Sequence, residues 1–374
     1  MEFKKTLVFA LLSGFVSAAL SISIPLYLDS QGYDLPDIGF LLGTAALLSA
    51  LLGIALAALS DHFGRRALIS LYSVASAFGT AIMAFIQSPV AFVSGRAISS
   101  MAGSNQWNLM LARVSDLSGK EHRATKVGLY IAAFALSYSI SHIIVGAIID
   151  GFGFPMAFAV TIAVALACAA TALLFLDVGK RKHRFHLSLN VLKTMDGKLN
   201  MIVSFCTGFT SIISMYVLYI FLARQYGFDA TGVGLFIAAA YVFWAIFSYV
   251  FGPLIDRKGV KKMMFAGAVM NASAWFAAIY FQDFLPFFAL MVVDNITWPL
   301  YGLSAMKIST VLPEQENMGR DVSIFGFANM MGVIAASFVG GVLAEMSFGY
   351  VFAVRAVAVL LSGCIVFFLM KVKD

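Results

Sequence analysis

The chain alternates between apolar runs of about twenty residues and short polar stretches, and that alternation organises everything else that can be read from it. A helix needs roughly twenty apolar residues to cross the hydrocarbon core of a bilayer. By that measure the runs predict about twelve spans, near 6–28, 37–59, 67–87, 89–112, 125–149, 155–176, 199–222, 232–254, 263–281, 285–311, 322–343 and 350–370. The ten-residue alternating segments of an outer-membrane barrel do not occur in these runs. The expectation is an all-α membrane protein of two six-helix bundles, 1–176 and 199–374. They are joined by a polar linker, 177–198, rich in Lys, Arg and His, within which Arg184–Met195 reads as an interfacial helix. Lys4 and Lys5, followed by apolar residues as far as Leu28, form a run too long for a signal-peptide core and read as the first span.

Composition strengthens this picture. The 374 residues are 61% hydrophobic and only 12% charged, with a mean hydropathy of +0.91. Soluble domains are about 25% charged. Twelve short-looped spans leave no room for a sizeable soluble domain.

The net charge of +6 would by itself allow nucleic-acid binding, but its distribution argues for orientation instead. Basic residues gather in alternate loops and at both ends, among them Lys4, Lys5, Arg65, Arg66, Arg123, Lys180, Arg257, Lys258, Lys371 and Lys373. The opposite loops carry acids such as Asp29, Asp34, Asp37, Asp150, Asp229 and Asp283. The positive-inside rule then sets both termini in the cytoplasm of a cell-membrane protein, with lipid and no nucleic acid as its surroundings. Cys168, Cys206 and Cys364 lie inside apolar runs without metal or disulfide spacing. No nucleophile elbow, zinc motif or nucleotide loop occurs, so neither an enzyme, a cofactor site, a metal site nor an ATP-driven motor is expected.

Two charged turns break the apolar pattern in related ways. One reads Ala57-Ala58-Leu59-Ser60-Asp61-His62-Phe63-Gly64-Arg65-Arg66, the other Gly252-Pro253-Leu254-Ile255-Asp256-Arg257-Lys258-Gly259-Val260-Lys261-Lys262. In each an acid is followed three residues later by Gly and then by bases, and the two acids stand about half the chain apart. Gly146-x-x-x-Asp150 and Gly341-x-x-x-Glu345 form a second matched pair at the ends of spans five and eleven. A duplicated architecture follows from these matches.

The turns resemble the loop signature of the major facilitator superfamily, broadly Gly-x-Leu-x-Asp-Arg-x-Gly-Arg-Arg/Lys, with Ala57 and His62 as departures in the first copy. The resemblance implies a transporter whose cytoplasmic gate is formed by Asp61, Gly64, Arg65, Arg66, Asp256, Arg257, Gly259, Lys261 and Lys262. The alternative for these residues is a topology anchor at the headgroups.

Ionisable groups inside a span are costly, on the order of 2.5–3.5 kcal/mol at the bilayer centre, and so mark candidate sites. Asp294 lies ~13 Å into span ten and Arg96 is similarly deep in span four. Each precedes the next junction arginine by a similar distance, which permits a pair across a central cavity. Helical spacing puts Ser100 and Trp107 on the Arg96 face and Thr297, Trp298 and Tyr301 on the Asp294 face, while span seven offers Ser211 and Ser214. The superfamily lines its cavity with spans one, four, seven and ten, so the resemblance implies that these faces meet. Arg96 also stands where the family has its fourth-span arginine.

His142, the one histidine within a span, occupies a stretch where antiporter branches carry Gly-Pro-x-x-x-Gly. It is either a proton relay or a hydrogen-bonded packing residue. Lys307 and Arg355 read as snorkelling residues near span ends. Together these features predict a monomeric secondary transporter of a small molecule working by alternating access. Proton-coupled export of amphiphilic or cationic compounds is the leading expectation, with Asp294 and His142 as proton sites. Proton-coupled uptake of a sugar or organic acid, or uncoupled uniport, is the alternative.

Overall fold

The computed structural model describes residues 2–59, 65–86, 88–117, 123–175, 190–312 and 318–372. The first half contains α1 (Glu2–Ser30), α2 (Leu35–Leu59), α3 (Arg65–Phe85), α4 (Pro89–Asp116) and α5 (Arg123–Phe175). The second contains α6 (Met195–Ile213), α7 (Met215–Tyr226), α8 (Ala230–Lys258), α9 (Val260–Ala278), α10 (Phe284–Val311), α11 (Met318–Met346) and α12 (Phe348–Cys364), which ends in a π turn, Ile365–Leu369. Among the described residues, nine helical stretches are long and apolar enough to cross a membrane. The longest of these, Thr125–Leu174, holds two spans. α4 falls outside that set because Arg96, Asn105 and Gln106 dilute its apolarity. Large apolar side chains such as Phe85, Leu174 and Phe368 stand exposed on the outer surface, as a protein solvated by acyl chains requires. The chain is a multi-pass membrane protein.

Three local departures from regular helices carry physical information. Spans five and six run on as α5, bent at Gly153, whose φ of +80° only glycine adopts without strain. Pro155 opens the second limb, where its missing N–H costs nothing. Span seven is broken instead of continuous: α6 ends and α7 begins at Ser214. In the linker, Asn190–Lys193 forms one 3₁₀ turn before α6, and Thr194 caps that helix by accepting the Gly197 amide at 3.0 Å. The linker up to residue 189 lies outside the described residues.

The halves pack alike. α2 and α3 rest on α4 in the first, as α8 and α9 rest on α10 in the second. α1 packs along α5, and α6 along α11. Two seams then join the halves, α5 against α8 and α2 against α11. Each seam is close enough to exclude a β-carbon. A side chain at Gly146 would collide with the Ala230 carbonyl, and one at Gly341 with the Leu35 carbonyl. The two glycines matched in sequence thus meet the N-termini of equivalent helices, α8 and α2. On the first seam the Asp150 carboxylate accepts the amides of Ala230 and Thr231 at 3.1 and 2.7 Å, capping α8 across the interface. At the same end Arg224 of α7 bonds Asp29 of α1 at 2.7 Å.

Candidate functional site

Between the halves lies a small cavity of about 90 Å³. Ser21 of α1 with Arg96 and Ser100 of α4 line it from one side, Met215 and Tyr216 of α7 with Ser337 of α11 from the other. Arg96 and Ser100 are one helical turn apart and so share a face. Tyr216 is fixed by donating its hydroxyl to the Ser337 carbonyl at 2.9 Å. Among the described residues, no carboxylate and no hydrogen-bond acceptor meets the Arg96 guanidinium. Among the described residues, the positive charge in the cavity is uncompensated.

Asp294 does not supply the partner. Its carboxylate accepts from Arg355 of α12 at 2.9 Å, from the Trp275 indole N–H at 2.7 Å and from Asn271 at 2.8 Å. Asn271 also donates to Thr297 at 3.0 Å. Arg355 lies 4.4 Å from the Trp275 ring centroid and 5.2 Å from that of Trp298, in cation–π geometry. It further donates to the Thr210 carbonyl at 2.5 Å and to Ser214 Oγ at 2.7 Å. The reading of Arg355 as a snorkelling residue is thereby corrected. α12 begins at Phe348 under the Ser347 cap, which sets Arg355 about two turns deep, level with Asp294.

The remaining sequence candidates divide between the two places. Ser214 sits at the helix break and Ser211 bonds its own helix at the Thr207 carbonyl. Tyr301 turns into the second half, with its hydroxyl between Thr207 and Ser362. Trp107 packs on Tyr130 and Phe134 of α5 instead of lining the cavity. Lys307 pairs with Asp256 at 3.0 Å, and Lys261 donates to the Met370 carbonyl at 2.6 Å. Gly259 takes a φ of +91° at the α8–α9 turn, while Arg66, Arg257 and Lys262 are exposed. Asp61 and Gly64 lie outside the described residues, as does the Arg65 side chain.

A third cluster adjoins the cavity at Ser21. His142 of α5 is fully buried, with Nδ1 2.6 Å from the Tyr138 carbonyl and Nε2 2.8 Å from the Tyr219 hydroxyl of α7. Tyr138 donates to Ser21 Oγ at 2.6 Å, and Tyr219 approaches the same oxygen at 3.2 Å. Tyr241 and Trp244 of α8 pack on Tyr138. The tyrosines gave no sequence signal, being common at helix interfaces.

Comparison with known proteins fits this architecture. A family model described as the Major Facilitator Superfamily matches residues 6–191 and 201–374. An uncharacterized MFS-type transporter of Methanocaldococcus jannaschii is 19% identical over 355 residues, 92% of this chain and 88% of that protein. Two solved structures share the fold. The human organic anion transporter MFSD10 (TETRAN) has a TM-score of 0.73 at 13% identity, covering 98% of both chains. The nucleoside transporter NupG has a TM-score of 0.79 at 14% identity, covering 99% of this chain and all of that one.

Proposed function

This chain belongs to the Major Facilitator Superfamily, and we propose that it is a secondary transporter of small organic anions. One observation carries the anion: Arg96 faces the central cavity with no acid among the described residues to balance it, while the buried acid Asp294 is balanced by Arg355. A single uncompensated guanidinium favours a carboxylate or a similar oxyanion, which it binds with two parallel N–H donors. That charge balance turns the preference away from the cationic compounds suggested by the sequence. A solute bound at Arg96 also adjoins the Ser100 hydroxyl and the apolar wall that includes Met215, while Ser21 and Tyr216 give their hydrogens to the Ala18 and Ser337 carbonyls. That a human organic anion transporter shares the fold is consistent with this reading.

The transporter works by alternating access, the two halves rocking about the cavity as the α5–α8 and α2–α11 seams open and close. It acts as a monomer in a cell membrane with both termini in the cytoplasm, and it needs no cofactor. The charged turns at Asp61 and Asp256 steady the cytoplasmic end. Moving an anion together with a proton lets the proton's own gradient drive the solute.

The test is solute exchange in proteoliposomes. Labelled gluconate, malate and succinate would be compared with a lipophilic cation and a nucleoside, in wild type and Arg96→Gln. Exchange of a carboxylate that is lost in Arg96→Gln supports the reading. Exchange of the cation, equal in both proteins, sinks it.

A further inference from the structure

We propose that His142 is the proton-binding site of this transporter, and that proton binding there and anion binding at Arg96 favour each other. The first part stands on the geometry of α1, α5 and α7, whereas the second rests on the anion reading of Arg96.

The hydrogens of this cluster can be assigned one by one. A backbone carbonyl can only accept, so the 2.6 Å approach of Nδ1 to the Tyr138 oxygen requires a hydrogen on Nδ1. Ser21 gives its own hydrogen to the Ala18 carbonyl at 2.9 Å, and Tyr138 gives its hydrogen to Ser21 Oγ. The hydrogen that faces Nε2 is that of Tyr219, whose oxygen also neighbours the Tyr241 hydroxyl. With His142 neutral, Nε2 is an acceptor and takes the Tyr219 hydrogen, so the 3.2 Å approach of Tyr219 to Ser21 is left without one. With a proton added, Nε2–H donates to the Tyr219 oxygen. Tyr219 then gives its hydrogen to Ser21 Oγ, which accepts two bonds and donates one. The extra proton completes the network without moving a heavy atom.

The new bond joins α7 of the second half to α1 of the first. Protonation therefore adds a hydrogen bond across the closed interface, and the chain ends on Ser21, a wall of the solute cavity.

The surroundings set the coupling. His142 lies among the rings of Tyr138, Tyr219 and Tyr241, at centroid distances of 4.8, 5.7 and 5.7 Å. Aromatic faces can stabilise an imidazolium. Among the described residues no carboxylate faces it: α1 presents Ser21, α7 Tyr219, α8 Tyr241 and the Gly234 backbone, and α5 its own Tyr138. Among the described residues, Arg96 acts on Tyr138 of this cluster and the Asp294–Arg355 pair acts on Tyr241. The pair is balanced, so the unbalanced charge beside the cluster is Arg96, across Tyr138, and a positive ring at His142 would be repelled by it. An anion on Arg96 cancels that repulsion, so the anion raises proton affinity and, by linkage, the proton raises anion affinity to the same extent. This is the thermodynamic signature of symport.

The experiment measures protons taken up per solute moved, with a pH dye inside proteoliposomes, for every solute that wild type exchanges. Wild type should take up about one proton per solute, His142→Gln close to none. Tyr219→Phe keeps the ring but removes the linking hydroxyl, and should lower the ratio. An unchanged ratio in His142→Gln overturns the proposal. If the exchanged solute is a nucleoside or a cation, the anion reading fails, yet the proton ratio still decides for or against His142. Should His142→Gln not fold, ¹⁵N resonances of the wild-type histidines, read between about pH 4 and pH 9 with and without saturating solute, give the answer directly. The buried ring should charge within that range when solute is bound. A ring that stays neutral throughout refutes the site.

Discussion

The Arg355 guanidinium lies 2.9 Å from the Asp294 carboxylate, with only 7% and 12% of the two side chains exposed. The same guanidinium bonds the Thr210 carbonyl. In an unbroken helix that carbonyl would accept the Ser214 amide, but here the Ser214 amide turns to Ile212. Arg355 thus replaces a missing helical bond at the α6–α7 break, and Asp294 balances the charge that this needs.

Removing one partner of such a pair leaves the other buried and uncompensated, at about 3–5 kcal/mol, whereas removing both costs less. Arg355→Leu should therefore lower the melting temperature in detergent strongly, and Arg355→Leu with Asp294→Leu should recover part of the loss. Additive losses in the double variant would show that the two residues act independently.

Arg96 should behave differently. With no partner among the described residues, its loss breaks no bond within the fold, so Arg96→Gln should melt near wild type. Charge-assisted hydrogen bonds contribute roughly 1.5–3 kcal/mol, so solute affinity should fall about 10- to 150-fold. Arg96→Lys, which keeps the charge but not the fork, should fall in between. Binding measured by calorimetry with the solute found in the exchange assay decides this. Equal affinity in wild type and Arg96→Gln would remove Arg96 from the site.

The Asp256–Lys307 pair is about a third exposed on both sides and joins α8 to α10 within one half. Such pairs contribute about 0–1 kcal/mol. Asp256→Asn should leave the melting temperature nearly unchanged. If the charged turn steadies the cytoplasmic end, turnover should nonetheless shift several-fold. Turnover and stability both at wild-type levels would reduce the turn to a topology anchor.

Much of this was legible in the sequence, because a bilayer imposes a length and an apolarity on every span. The fold class and the half-length repeat followed from that constraint. The matched Gly146 and Gly341 were visible as well, since only a residue without a side chain permits those approaches. Partner choice was not legible. Asp294 and Arg96 occupy equivalent depths, yet α12, packed on α9 and α6, brings Arg355 to the acid first. Depth along a helix can be counted from sequence, but the rotation of one helix against another depends on packing. The tyrosines around His142 were hidden for the same reason: Ser21, Tyr138, Tyr219 and Tyr241 come from four helices and no spacing links them.

Asp150 offers the most direct handle on the seam. Its carboxylate accepts the first amides of α8, a helix of the other half, so the cap exists only while α5 and α8 are together at that end. Loss of a capping carboxylate costs about 0.5–2 kcal/mol. Here that cost falls on the closed form alone, so Asp150→Ala should raise the open fraction about 2- to 30-fold. Asp150→Asn, which keeps an acceptor oxygen, should raise it less. The readout is alkylation of a cysteine placed at Ser337, in the cavity wall, with Cys168, Cys206 and Cys364 replaced by serine. A reagent confined to the side of the α8 N-terminus should label Asp150→Ala faster than its parent. Equal labelling in both would mean that the cap holds α8 in place without biasing which way the cavity opens.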